Sequence, residues 1–186
     1  TIDNDVWGTD VSFGFDSAVT IATDAIDRLH STASAHQRVM VIEVMGHKAG
    51  WIALHSGMAG GGDIILLPEI PFDIHRIGDA IINRLKKGKP YSIVVVAEGI
   101  PTTGGKKAAQ YIAEEIEYET GFETRETVLG YIQRGGSPTA YDRNLATRMG
   151  GHATELIAQG MFGRMVALKG NTIESVPLSE VAGKLK

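Results

Sequence analysis

Tyr91-Ser92-Ile93-Val94-Val95-Val96-Ala97-Glu98-Gly99 is a β-branched apolar run that ends abruptly on a carboxylate and a glycine. A strand with one wet face alternates apolar and polar residues. An unbroken apolar run instead suits a strand covered on both faces, as in a parallel sheet. Outward from it, Val39–Val44 is a similar run ending at Met45-Gly46, and Ile64–Leu67 is another, stopped by Pro68. Thr124–Leu129 and Arg164–Leu168 read as weaker strands. Between these lie helical patterns. Phe15, Ala18, Val19, Ala22, Ile26 and Leu29 trace one stripe, and Ile74, Ile77, Ile81 and Leu85 another, with Asp73 as its N-cap. Lys106–Tyr118, Ala140–Ala158 and a short terminal stretch, Pro177–Lys186, complete the helices. Strands alternating with helices of this length predict βαβ units around a mostly parallel sheet, an α/β fold.

The bulk properties agree. The 186 residues, 43% hydrophobic and 22% charged, suit a large globular domain. The net charge of −4 argues against a general nucleic-acid surface but leaves room for a local basic pocket. There is no cysteine, hence no disulfide or thiolate chemistry, which fits a reducing cytoplasm. No apolar run is long enough to span a membrane. The chain starts without Met on a motif-like segment, and we read it as a piece of a longer protein.

In open α/β sheets ligands sit beyond the carboxyl ends of the strands. Three such ends carry reactive residues: Met45-Gly46-His47, Glu98-Gly99, and Tyr131 with Arg134. Glu98 closes the most apolar strand, so its carboxylate needs a partner, either sugar hydroxyls or the backbone of a loop. In Gly130–Pro138, Arg134 precedes Gly135-Gly136, a combination that fits phosphate binding and equally a surface turn. Arg38 and Arg125 add guanidinium groups beside strands, in a phosphate pocket or as solvated edge charges. The cluster Gly57, Gly60, Gly61 and Gly62 follows a helical stretch, with no Lys-Ser/Thr after it. A helix end suits it better than a nucleotide loop. Thr1-Ile2-Asp3-Asn4-Asp5 opens the chain, and if it is extended, Thr1, Asp3 and Asp5 share one face. Paired carboxylates suit a hard cation or the removal of a hydroxyl proton, although a solvated acidic turn explains them too.

Taken together, several segments resemble the 6-phosphofructokinase family over nearly the whole chain. They are Thr1–Asp5 with Gly8-Thr9-Asp10, His36-Gln37-Arg38, Glu43–Gly46, and Gly130–Pro138 followed by Tyr141-Asp142-Arg143. The resemblance implies a Rossmann-like three-layer α/β/α sandwich, present in part. Residues 1–35 would be a remnant of the donor-binding domain with its connecting helix, and 36–186 the fructose 6-phosphate-binding domain. It also implies phosphoryl transfer from ATP, or alternatively pyrophosphate, to the 1-hydroxyl of fructose 6-phosphate, with Mg2+. Asp3 would be the base, Thr1 would hydrogen-bond near the reacting group, and Asp5 would order the metal. Met45, Gly46 and Glu98 would contact the sugar, while Arg38, Arg125, Tyr131 and Arg134 would hold its phosphate. Arg38 and Arg125 would reach in from a neighbouring subunit, making a dimer or tetramer with a shared site. Donor loops would precede Thr1, so the chain alone is expected to be inactive.

Two departures stand out. Bacterial ATP-dependent members resemble Met-Gly-Arg where this chain has Met45-Gly46-His47, and often carry histidine at Tyr131. His47 can still donate to a phosphoryl oxygen in catalysis. A non-catalytic sugar-phosphate module is the alternative that His47 raises. Lys48–Ala53 looks nearer to the subgroup that mixes ATP-users and pyrophosphate-users. Asp63, Lys87 and Lys89 echo part of an effector site, but His30 and Pro90 stand where basic residues are usual.

Overall fold

The computed structural model describes residues 1–186. Four parallel strands form the central sheet: β1 (Val39–Val44), β2 (Ile64–Leu66), β3 (Ser92–Ala97) and β4 (Thr124–Val128). Their spatial order is β2-β3-β1-β4. Every residue of β1 and β3 is buried, as their largely apolar sequences require, with Glu43 and Ser92 the polar exceptions. In register, Val41 pairs with Val94 on one side and Glu126 on the other.

Helices α1 (Phe15–His36) and α2 (Trp51–Ala59) pack together, as do α3 (Ile74–Lys86) and α4 (Ala108–Thr120). The chain moves two places along the sheet through α2, back one through α3, then two the other way through α4. Right-handed crossovers in opposite directions put the two helix pairs on opposite faces. The outcome is the expected three-layer α/β/α sandwich. Its core gathers Ala18, Ala22 and Ile26 of α1 with Ile42, Ile93 and Val95 of the sheet and Ile112 and Ile116 of α4. Asp73 caps α3 as anticipated, accepting from the His75 amide at 3.0 Å. Gly60–Gly62 does close α2, where the Gly60 amide reaches the Ser56 carbonyl.

The C-terminal part departs from expectation. Helix α5 (Ala140–Ala158) forms, but β5 (Arg164–Lys169) does not join the parallel sheet. It pairs antiparallel with β6 (Thr172–Pro177), a strand that falls partly in the stretch expected to be helical. Only Leu178–Val181, α6, makes a helical turn there. This hairpin and α5 bury a second small cluster of Leu145, Met149 and Leu168, against which Val11 packs. The N-terminal segment is tied to it by Asp10 N–H to the Leu168 carbonyl at 2.8 Å and by a bridge between Val6 and Leu185. Helix α1, in contrast, packs on the main sheet. No helix is long and apolar enough to cross a membrane.

His75 Nδ1 lies 2.8 Å from Glu119 Oε2 and links the start of α3 to the end of α4. The hydrogen bond to Glu119, then its charge, raise the imidazole pKa above 6.5. A histidine raised in this way contributes stability that is complete below its unfolded pKa and fades as pH climbs through the folded value. The link therefore holds in mildly acid solution and is released toward alkaline pH. An NMR titration should place the His75 midpoint above 6.5 and return it toward that value in Glu119→Gln. An unshifted midpoint in the variant would show that Glu119 is not the cause.

Candidate active site

Glu98 follows the last residue of β3, and its Oε1 accepts two backbone N–H groups from the turn after β1. These come from Gly46 at 3.1 Å and His47 at 2.7 Å. Hydrogen bonds to a charged acceptor contribute about 1.5–3 kcal/mol each, so one carboxylate oxygen fixes that turn. Its other oxygen has no such partner. A loop-backbone contact and a ligand contact are thus both open to this residue.

The turn has an unusual backbone. Gly46 has φ 150°, and a Cβ there would lie 2.4 Å from the Ala49 carbonyl oxygen. His47 follows at φ 55°, the left-handed region that non-glycine residues seldom occupy. This conformation turns the two amides toward Glu98 and leaves the His47 side chain exposed at the cavity rim.

Beyond the carboxyl ends of β1, β3 and β4 lies a cavity of about 650 Å3. Asp3, Met45, His47, Glu98, Tyr131 and Arg134 all line it. The three strand ends thus converge as anticipated, and the N-terminal segment arrives opposite them. Tyr131 and Arg134 come from a 3-10 turn, Gly130–Arg134, directly after β4. The Arg134 guanidinium lies 5.3 Å from the centre of the Tyr131 ring, so the phenol ring supports the cation from below.

The extended reading of Thr1–Asp5 does not hold. Asn4 has φ 56° and is buried, and its Oδ1 accepts from the Ser12 amide at 3.0 Å. One left-handed residue between Asp3 and Asp5 breaks the alternation that would have put them on one face. Asp3 enters the cavity lining, while Asp5 and Thr1 do not. Thr1 remains next to Asp3, its Oγ1 donating to Asp3 Oδ2 at 3.1 Å. Asp3 Oδ1 is buried and has no hydrogen-bond partner.

The three arginines do not meet within the chain. Arg38 and Arg125 sit at the amino ends of β1 and β4, the opposite edge of the sheet from Arg134. Both bind Glu123, at 3.4 and 2.9 Å. Arg38 Nε is buried without an acceptor. Of the effector-like residues, Asp63 is occupied by Arg84 at 2.7 Å and by the Ile93 amide at 2.9 Å. Lys87 and Lys89 are exposed. His30 bridges the Gly60 carbonyl at 2.7 Å and the Tyr91 hydroxyl at 3.2 Å.

Sequence reasoning missed several lining residues: Glu43, Thr102, Lys106 and Lys107. Glu43 is a lone carboxylate inside an apolar strand. It is buried, and its Oε2 accepts the Ala109 amide at 2.8 Å in the first turn of α4, where a helix favours negative charge. The rule that drew attention to Glu98, that a buried carboxylate needs a partner, would have found it. Lys106 pairs with Glu114. That hydrogen bond raises the lysine pKa and lowers that of the glutamate.

The Phosphofructokinase family model matches residues 1–157. The chain is 82% identical over its whole length to an "ATP-dependent 6-phosphofructokinase 3" of Bacteroides thetaiotaomicron, of which it covers 55%. A "Pyrophosphate--fructose 6-phosphate 1-phosphotransferase" of Streptomyces coelicolor is 49% identical, with all of this chain and 59% of that protein covered. The chain therefore spans a little over half the length of the curated relatives it matches. A crystal structure of a pyrophosphate-dependent phosphofructokinase from Nitrosospira multiformis superposes with TM-score 0.85 at 30% identity, over 100% of this chain and 52% of that one. Phosphofructokinase from Saccharomyces cerevisiae gives 0.87 at 35% identity, over 97% and 25%. Sequence, fold and the residues gathered at the strand ends agree, and the chain belongs to the phosphofructokinase family.

Proposed function

We propose that this chain supplies the sugar-phosphate half of a 6-phosphofructokinase active site, in a protein that phosphorylates the 1-hydroxyl of fructose 6-phosphate from ATP. One observation carries the reading. Asp3 lines the same cavity as Glu98 and Arg134, with one carboxylate oxygen held by Thr1 and the other buried and unpartnered. A base for a hydroxyl needs a carboxylate within hydrogen-bond reach of the proton, and Thr1 is the only side chain that engages the Asp3 carboxylate. The sugar oxygen forms its bond to phosphorus as its proton passes to Asp3, and the bond from phosphorus to the donor breaks. Glu98, Met45 and Gly46 orient the sugar, His47 donates at the rim, and Tyr131 and Arg134 grip the 6-phosphate. Gripping the remote phosphate turns binding energy into alignment of the reacting hydroxyl, the main task in phosphoryl transfer.

Arg38 and Arg125 belong, on this reading, to the phosphate site of a second subunit in a dimer or tetramer. Mg2+ typically keeps waters and phosphate oxygens and takes one or two carboxylates. No three acidic or histidine ligands gather in the chain and Asp5 lies outside the cavity lining, so these residues fit the ion only as a partial set, with Asp5 as the one carboxylate assigned to it. When bound, the ion neutralises charge on the donor phosphates. On this reading residues 1–35 are the remnant of the donor-binding domain with its connecting helix α1, and the Asp10 amide bond to the Leu168 carbonyl ties their start to the β5–β6 hairpin.

ATP as donor draws support from the name of the 82% identical relative, and pyrophosphate from the more distant Streptomyces one. A coupled assay on the complete protein carrying this chain should yield fructose 1,6-bisphosphate with ATP and far less with pyrophosphate. Product from pyrophosphate alone would reverse the donor. Fructose 6-phosphate binding without product from either would leave a binding module.

A further inference from the structure

The cavity is lined by acidic Asp3, Glu43 and Glu98, yet it is proposed to receive a dianionic sugar phosphate. Among this chain's own residues Arg134 by itself does not offset them, apart from the guanidinium groups proposed to come from a second subunit. Arg38 and Arg125 of the same chain are at the far edge of the sheet on Glu123, and Lys106 is tied to Glu114. Lys107 remains. It lines the cavity beside Arg134 and Tyr131, is exposed, and forms no ion pair with any carboxylate. Its backbone occupies the N-cap position of α4 at φ −67°, and its side chain makes no capping hydrogen bond. The connection that brings it there contains Gly104 and Gly105, around which a Cβ would meet nothing within 4 Å, so the lysine sits at the end of an uncrowded loop.

Resting on the sugar-phosphate reading above, we infer that Lys107 is a substrate-binding residue that reaches the phosphate of fructose 6-phosphate together with Arg134. The pairing divides the work by chemistry. The guanidinium fixes direction through its planar fork, and the flexible ammonium adds a charge that adapts to the phosphate position. The carboxylates are left to the sugar hydroxyls.

The experiment compares Lys107→Ala and Lys107→Arg with wild type in the complete protein, by steady-state kinetics and by calorimetric titration with fructose 6-phosphate. Lys107→Ala should raise the KM and Kd for fructose 6-phosphate about tenfold. The KM for the donor should stay put, kcat should change less than about twofold, and Lys107→Arg should recover most of the loss. A purely structural role would move donor KM and kcat together and would not be rescued by charge. Unaltered sugar-phosphate affinity in Lys107→Ala, or an arginine variant as weak as the alanine one, overturns the assignment while leaving the proposed function standing. A wild-type protein with no affinity for fructose 6-phosphate overturns both.

Discussion

Asp3→Asn in the complete protein is expected to lower kcat by about 10³-fold or more while fructose 6-phosphate affinity changes by less than about threefold. The substitution is nearly isosteric, so Thr1 Oγ1 can still donate to the oxygen it now meets at 3.1 Å. What disappears is the ability of the carboxylate to take up a proton, because an amide is not a base near neutrality. Since Asp3 Oδ1 makes no hydrogen bond in the fold, an amide there breaks none. Binding should survive because, on the proposed reading, the phosphate grip lies with Arg134 and Tyr131 and not with Asp3. Single-turnover measurement separates the chemical step from product release. Turnover within about tenfold of wild type would reject Asp3 as the base, and an equal collapse of binding would make it a positioning residue instead.

How far the sequence prefigured this molecule depended on the reach of each signal. Ile93–Val96 and Val39–Val44 announced themselves because a strand covered on both faces must be apolar wherever its side chains lack a polar partner, and only Glu43, satisfied by the Ala109 amide, departs from that. The stripes of α1 and α3 were equally legible, one face of each helix being buried. Strand β6 escaped because no residue of Thr172–Pro177 is buried, the buried positions of the two-stranded ribbon, Ala167 and Leu168, lying in β5. For the same reason β5 was visible as a strand while its separate sheet was not.

The site was readable where chemistry and topology coincide. Residues just past the ends of buried strands have to face the ligand side, which placed His47, Glu98 and Arg134 together from order alone. Thr1–Asp5 was not readable in this way. Its shape is set by Asn4, whose side chain reaches Ser12 and whose left-handed backbone no local rule compels. Lys107 was equally hidden, since its place in the cavity follows from where α4 begins. The expected start at Lys106 is moved to Ala108 in the structure.

Gly99→Ala is the stability counterpart of Asp3→Asn. A Cβ at Gly99 would lie 2.2 Å from the His47 carbonyl oxygen and 3.2 Å from Lys48 Cα. Both obstacles are backbone, so no side-chain rotation relieves them, and the two loops must separate. Separation pulls Glu98 away from the Gly46 and His47 amides it now binds at 3.1 and 2.7 Å. Overpacking costs about 1–3 kcal/mol and a weakened charged hydrogen bond about as much again, so a loss of roughly 3 kcal/mol is expected. For a chain of this size that corresponds to a fall in Tm of roughly 6–12 °C. Because the same turn carries Met45, Gly46 and His47 to the cavity, the KM for fructose 6-phosphate should rise at least tenfold, about 1.4 kcal/mol. Gly104→Ala is the control on the neighbouring loop. It meets nothing within 4 Å but sits at φ 66°, so it carries only conformational strain of about 1–2 kcal/mol. If Gly99→Ala and Gly104→Ala shift Tm and KM alike, close approach of the two loops is not what shapes the sugar side of the cavity. A much larger effect at Gly99 ties the position of the His47 turn, and with it sugar affinity, to the missing side chain.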